Sequence, residues 1–196
     1  QVNLTRFSLF FPEKRDFFIE GQGIFDFGGV QAGNSPGDVP LMFYSRRIGL
    51  QQNREIPIWG GGRMTGRVGR FSLGLLNMQT REEPEEQVPV LQVPTPSTNF
   101  SVVRIKRDIL RRSSIGLLAT SRSQSQTRPG SNQVYGVDGT FAFFNNLTFA
   151  TYYAKSQTDG LADADTSYRA QMEYGGDRYG VQLERLTIDP NFNPEV

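Results

Sequence analysis

The chain has 196 residues, with 21 lysines plus arginines against 20 acids, and neither cysteine nor histidine. Without those two side chains, disulfides, thiolate chemistry, Ser-His-Asp catalysis and His- or Cys-bound zinc are excluded within these residues. The balanced charge gives none of the net basic character that nucleic-acid binding requires. No run approaches the ~18 apolar residues of a membrane helix, but barrel strands hide their apolar residues by alternation and escape that test.

The chain starts at Gln1 and stops at Val196 in a polar run, and it reads as a segment of something longer. Residues 1–50 form an irregular, plug-like segment with short strand candidates at 6–10, 24–27 and 41–48 and a polar loop at 31–39. Its densest stretch is Phe10-Phe11-Pro12-Glu13-Lys14-Arg15-Asp16-Phe17-Phe18-Ile19-Glu20-Gly21. Four consecutive charges sit there between two phenylalanine pairs, too apolar for a loop and too charged for a core.

From residue 51 onward a regular pattern sets in. Candidate strands fall at 56–67, 71–80, 99–109, 113–123, 133–144, 147–156, 166–174 and 179–187. Most are close to the length that a tilted membrane strand needs. Alternation is cleanest near the end: Tyr168, Ala170, Met172 and Tyr174 share one face, and Arg169, Gln171 and Glu173 the other. Tyr135, Val137, Phe141 and Phe143 likewise oppose Gly136, Asp138, Thr140 and Ala142. Period two with one polar face marks half-buried antiparallel strands.

Tight turns (68–70, 111–112, 145–146, 175–177) alternate strictly with long polar loops (81–98, 124–132, 157–165 and beyond 188). In an up-and-down sheet this puts all the short connections at one end, the arrangement of outer-membrane barrels. Phe71, Phe143, Phe144, Tyr174 and Tyr179 beside the turns, with Tyr135, Tyr153 and Tyr168 nearer the loops, match two interfacial girdles. The fold class expected is therefore all-β: an antiparallel up-and-down transmembrane barrel, with residues 51–196 supplying about 8–10 strands of a larger one. Arg104, Lys106, Asp108, Asp138, Arg169, Gln171 and Glu173 are the expected lumen-facing polar residues, and glycines at 60, 62, 66, 74, 116, 136, 139 and 180 would admit curvature or a closely packed plug.

Few motifs suggest chemistry. Residues 61–68 have phosphate-loop glycine spacing without the Lys and Ser/Thr. Asp159, Asp163 and Asp165 lack the glycine and terminal Glu of a calcium loop. No metal and no cofactor is expected. Glu13, Asp16 and Glu20 are the candidate catalytic carboxylates, since glycosidic chemistry needs only paired acids; a structural ion pair with Lys14 or Arg15 is the competing role for Glu13 and Glu20.

Asn3-Leu4-Thr5-Arg6-Phe7, followed by Phe11-Pro12-Glu13-Lys14-Arg15-Asp16-Phe17-Phe18-Ile19-Glu20-Gly21, resembles the bacterial domain-of-unknown-function family 5916. So do residues 45–49, 69–77, 99–104 and the terminal Asn191-Phe192-Asn193-Pro194-Glu195-Val196. Asp16 stands where proline is more usual. The resemblance implies an exported protein in which a module similar to family 9 carbohydrate-binding domains precedes an outer-membrane-type barrel. No catalytic residue comes with it. The expectation is a barrel segment in the bacterial outer membrane, in contact with outer-membrane lipid and serving glycan binding, uptake or surface handling. Two alternatives stand beside it: a membrane-anchored carbohydrate-active hydrolase acting on O-glycosyl bonds, and a soluble β-rich binding domain.

Overall fold

A computed structural model describes residues 13–30, 39–51, 54–83 and 95–196. The strand expected at 6–10, the residues Phe11 and Pro12, and most of the acidic and proline-rich part of the 81–98 loop lie outside these.

The domain is an all-β antiparallel sheet. A two-residue ladder pairs β1 (Leu50–Gln51) with β2 (Arg54–Glu55). Eight strands follow as an unbroken meander: β3 (Ile58–Val68), β4 (Phe71–Thr80), β5 (Asn99–Leu110), β6 (Ser113–Arg122), β7 (Asn132–Phe143), β8 (Leu147–Thr158), β9 (Thr166–Gly175) and β10 (Gly180–Ile188). Each pairs only with its sequence neighbours, so β3 and β10 are edges and the sheet is open. Because every pairing is antiparallel and consecutive, the tight turns share one end and the long loops the other.

Local chemistry explains the turns. Gly69 supplies the positive φ of 59° between β3 and β4. Between β7 and β8 the asparagines were the expected carriers, yet the positive φ of 56° falls on Phe144, which stands 82% exposed. The bulge between Ile58 and Gly60 leaves Trp59 outside the ladder and 72% exposed.

The two faces of the sheet differ. One is covered by residues 13–30 and 39–49 together with the tail after β10. Its core joins Phe18, Phe25, Phe27, Met42, Phe43 and Ile48 to Leu76, Met78, Phe100, Val102, Leu118, Val134 and Tyr152 of the strands, and to Phe192 and Val196 of the tail. The other face is bare among the described residues.

Most of the covering segment is not strand. The stretch expected as a strand at 24–27 is a 3-10 turn (Gln22–Phe25) followed by a bridge from Phe27 to Val30. The stretch at 41–48 contains another 3-10 turn, Ser45–Arg47. Gly28 and Gly29, at φ 62° and 80°, double the chain back within four residues. The backbone of 44–48 is satisfied by something other than a neighbouring strand: Arg15 donates to the carbonyls of Ser45 and Ile48, and the Tyr44 N–H donates to the Val196 carbonyl.

Residues 20–29 form a strap running across the strands. Gly21 lies on Thr65 of β3, Phe25 on Gly74 of β4, Phe27 on Gly136 of β7, and Gly28 on Tyr152 of β8. A Cβ on Gly136 would lie 2.5 Å from the Phe27 ring, and one on Gly74 2.9 Å from Phe25, so these strand glycines are the seats of the strap. Gly60, Gly62 and Gly66 have open space around them. Gly136→Val should therefore destabilise the domain by about 1–3 kcal/mol through overpacking, whereas Gly66→Ala should change it by no more than about 0.5 kcal/mol; denaturant midpoints of the two variants measure the contrast.

Candidate functional site

The covered face holds most of the ionisable residues that alternation assigned to one side of the strands. Arg104 on β5 and Asp138 on β7 lie on either side of β6 and meet in a two-pronged pair, at 2.6 Å and 2.9 Å. The intervening residue is Gly116, where a Cβ would stand 2.5 Å from the guanidinium and 2.6 Å from the carboxylate. The Arg104 side chain is 1% exposed and Asp138 8%. Asp138 also accepts the Gly28 N–H at 3.1 Å, and Phe27 covers the Arg104 guanidinium at 5.4 Å. The strap is thus fastened to the pair by its left-handed glycine.

A second arginine completes the fastening. Arg169 on β9 donates to Glu184 of β10 at 2.7 Å and reaches the Gly28 carbonyl at 3.4 Å. Tyr152 packs its ring against Phe27 and shares a 3.0 Å hydrogen bond with Ser167. Lys106, Asp108, Gln171 and Glu173 lie on the same side of their strands as Arg104 and Arg169, and Asp108 pairs with Arg67. Arg104, Asp138 and Arg169 are brought together around Gly28; the others are spread towards the tight turns.

The candidate carboxylates are not assembled into a pair. The Glu13 side chain is 3% exposed, paired with Arg15 at 2.8 Å and accepting the Ser45 hydroxyl at 2.7 Å. Burial pushes its carboxyl up, but hydrogen bonds from Arg15, from its backbone N–H and from Ser45 outweigh that and hold the pKa at about 2. Glu20 is 85% exposed on its side chain and pairs with Arg63 of β3 at 2.9 Å; Arg63 also donates to the carbonyls of Phe17 and Glu20. Asp16 sits exposed in the single helical turn α1 (Asp16–Ile19). Lys14 is exposed, Phe17 and Phe18 meet edge to face at 5.0 Å, and the Arg15 guanidinium lies 4.1 Å over Phe18. An acid with a carboxyl held near 2, clamped by an arginine and a hydroxyl, is a bracket between 13–15 and 45–48 and not a proton donor at neutral pH.

Two of the three loop acids have partners of their own. Asp159 accepts the Ser131 N–H at 2.6 Å, and Asp165 lies 3.6 Å from Lys155. Among the described residues no cluster of acids could hold a metal ion, and no helix is long and apolar enough to cross a membrane.

Reading the sequence did not single out several important contacts. Glu195, 2% exposed, accepts from Ser125, from the Gln126 N–H and from Thr127, while Arg47 donates to the Pro194 carbonyl. Asn132 donates to the Asn193 carbonyl at 2.9 Å. The tail thereby closes the loop end of the covered face. Burial, partly offset by Glu195, pulls the Arg47 pKa down. The available signal was the compact terminal run Asn191–Val196, which has too many specific polar groups for a disordered tail.

The bare face is apolar over most of its height. Leu75, Val103, Ile105, Leu117, Val137 and Leu183 project from it, each between 39% and 59% exposed. On β7 the band runs from Tyr135 to Phe143, about 27 Å along the strand at roughly 3.4 Å per residue, and it narrows to Phe71–Leu75 on β4. It ends towards the loops in a polar ladder of Asn77, Gln79, Asn99 and Ser101, hydrogen-bonded to one another. Phe141, Phe143 and Phe149 cluster towards the turns, with centroids 6.0–6.5 Å apart.

No family model, no curated protein and no solved structure matches this chain. The resemblance to family 5916 therefore rests on the quoted residues.

Two predictions test these contacts. Asp138→Asn leaves Arg104 buried without a counter-charge and should cost about 3–5 kcal/mol, while the paired Arg104→Met/Asp138→Leu exchange should cost clearly less. Glu13→Gln should lower stability by about 1–3 kcal/mol at neutral pH. Because the folded pKa of Glu13 is below the ordinary 4.5, its contribution is present above 4.5 and is lost as pH falls towards 2. Denaturation curves of parent and variant should accordingly converge across that window.

Proposed function

We propose that this domain is a segment of a bacterial outer-membrane β-barrel whose bare face meets lipid and whose strapped face looks into the barrel. One observation carries the reading: the sheet is apolar on both of its faces. Its covered face packs an apolar core around the ion pairs, and its bare face leaves a second set of leucines, valines and aromatics exposed. Soluble proteins rarely leave so continuous an apolar surface uncovered, whereas a lipid-facing strand requires it. Strands of 9–12 residues and the segregation of tight turns from long loops support the same reading, as does the resemblance to family 5916. The free edges β3 and β10 would then pair with further strands. A role in glycan binding, uptake or surface handling comes from the family resemblance alone, through a module outside these residues.

A second reading requires least beyond the sheet itself: a β-rich binding domain whose bare face docks a protein partner. The open edges favour it, since the eight strands do not close on themselves. A hydrolase has less support, because Glu13 is clamped and Glu20 is paired with Arg63 in the solvent.

Val103→Arg separates the two main readings. Val103 is central on β5 and points from the bare face. In a bilayer the arginine should cost about 2–4 kcal/mol in detergent or vesicle refolding; on the surface of a soluble domain it should cost no more than about 0.5 kcal/mol. Recovery of the full natural chain from cells without detergent would overturn the membrane reading.

A further inference from the structure

The bare face carries a groove of about 550 Å³, within the range of about 300–1,000 Å³ that small-molecule sites occupy. Phe71, Ile105, Ile115, Leu117, Val137 and Phe141 form its walls. Its floor is opened by Gly139, which faces Ile115 on β6 and Thr151 on β8. A side chain there would run into the Phe141 ring, 2.8 Å from its Cβ.

The rim of the groove is basic. Arg107 pairs across the sheet with Phe71 and Ile115, and its guanidinium lies 5.2 Å over the Phe71 ring. This is the end of the sheet where the tight turns place Arg70 and Arg111, both exposed. The neighbouring acids are paired: Asp138, which also lines the groove, has its carboxylate bound to Arg104 and the Gly28 N–H on the covered face, and Asp108 is paired with Arg67. Among the described residues no acid pairs with these guanidinium groups, and an apolar slot ending in such charge is complementary to a chain of methylenes ending in a net anionic headgroup.

We infer that the groove seats one acyl chain of an anionic phospholipid. Its phosphate accepts from Arg107, and Arg70 and Arg111 on the flanking turns supply the surrounding positive potential. This rests on the membrane reading above and adds to it a defined lipid site in the leaflet beside the short turns. Each arginine near a headgroup should contribute about fivefold to affinity.

The test uses the full natural chain purified in detergent, titrated with phosphatidylglycerol or phosphatidylcholine and observed by native mass spectrometry. One phosphatidylglycerol should be retained per chain, at least about fivefold more tightly than phosphatidylcholine. Arg107→Gln should abolish the preference. Gly139→Leu should remove retention of both lipids, and Arg185→Gln, on β10 away from the groove, should leave the preference intact. Equal retention of the two lipids, or a preference that survives Arg107→Gln, overturns the site. Should Gly139→Leu fail to fold, the Arg107→Gln comparison decides alone. A chain that needs detergent but shows no headgroup preference loses this site and keeps the membrane reading; a chain recovered without detergent loses both.

Discussion

A buried guanidinium cannot be left without a counter-charge, and Arg104 is among the most deeply buried large side chains of the domain. Its pairing with Asp138 fixes three things together. The register of β5, β6 and β7 must bring the two residues within diagonal reach across β6, over Gly116, which pairs directly with Asp138. The remaining acceptor capacity of Asp138 must be met, and the Gly28 N–H meets it. The guanidinium face must be shielded from water, and Phe27 shields it. The placement of the strap thus follows from the charge pair, and the covered face follows from the strap.

The Glu13 clamp works on the same principle at the edge of the domain. Its arginine has donors to spare after binding the carboxylate, and it spends them on the carbonyls of Ser45 and Ile48. A segment without strand partners is thereby held in place by side chains. The tail repeats the arrangement with Glu195 as acceptor. The irregular parts of this domain are ordered by ionised groups bound to backbone, and the regular part by its ladder.

Much of the sheet was legible in the sequence because two signals were periodic. Alternation located β7, β9 and β10 to within a residue or two, and the spacing of turn residues supplied the up-and-down order. The irregular segment was not legible in the same way. Residues 24–27 and 41–48 have β-forming composition, but their partners are arginines and glycines far along the chain, and no local pattern records that. Phe144 shows the same limit: the adjacent asparagines are better suited to positive φ, yet pairing of Phe143 with Leu147 places the turn one residue earlier. At the candidate site, the parity of Arg104, Asp138 and Arg169 was readable from alternation, whereas their convergence on Gly28 was not, because side-chain parity gives a face and says nothing of what lies on it.

The strap also has a consequence for the order in which the domain can form. Every strand pairing within the meander joins neighbours in sequence, so the hairpins can grow one from the next with only the connecting turn or loop to close. Gly28 instead joins groups 110 and 141 residues away. Its binding site is not complete until β7, β8 and β9 stand side by side, and by then most of the loop entropy has already been lost in forming the hairpins. Loop entropy therefore favours seating the strap last, as a latch on a finished sheet, and its amides should be the last to gain protection from exchange.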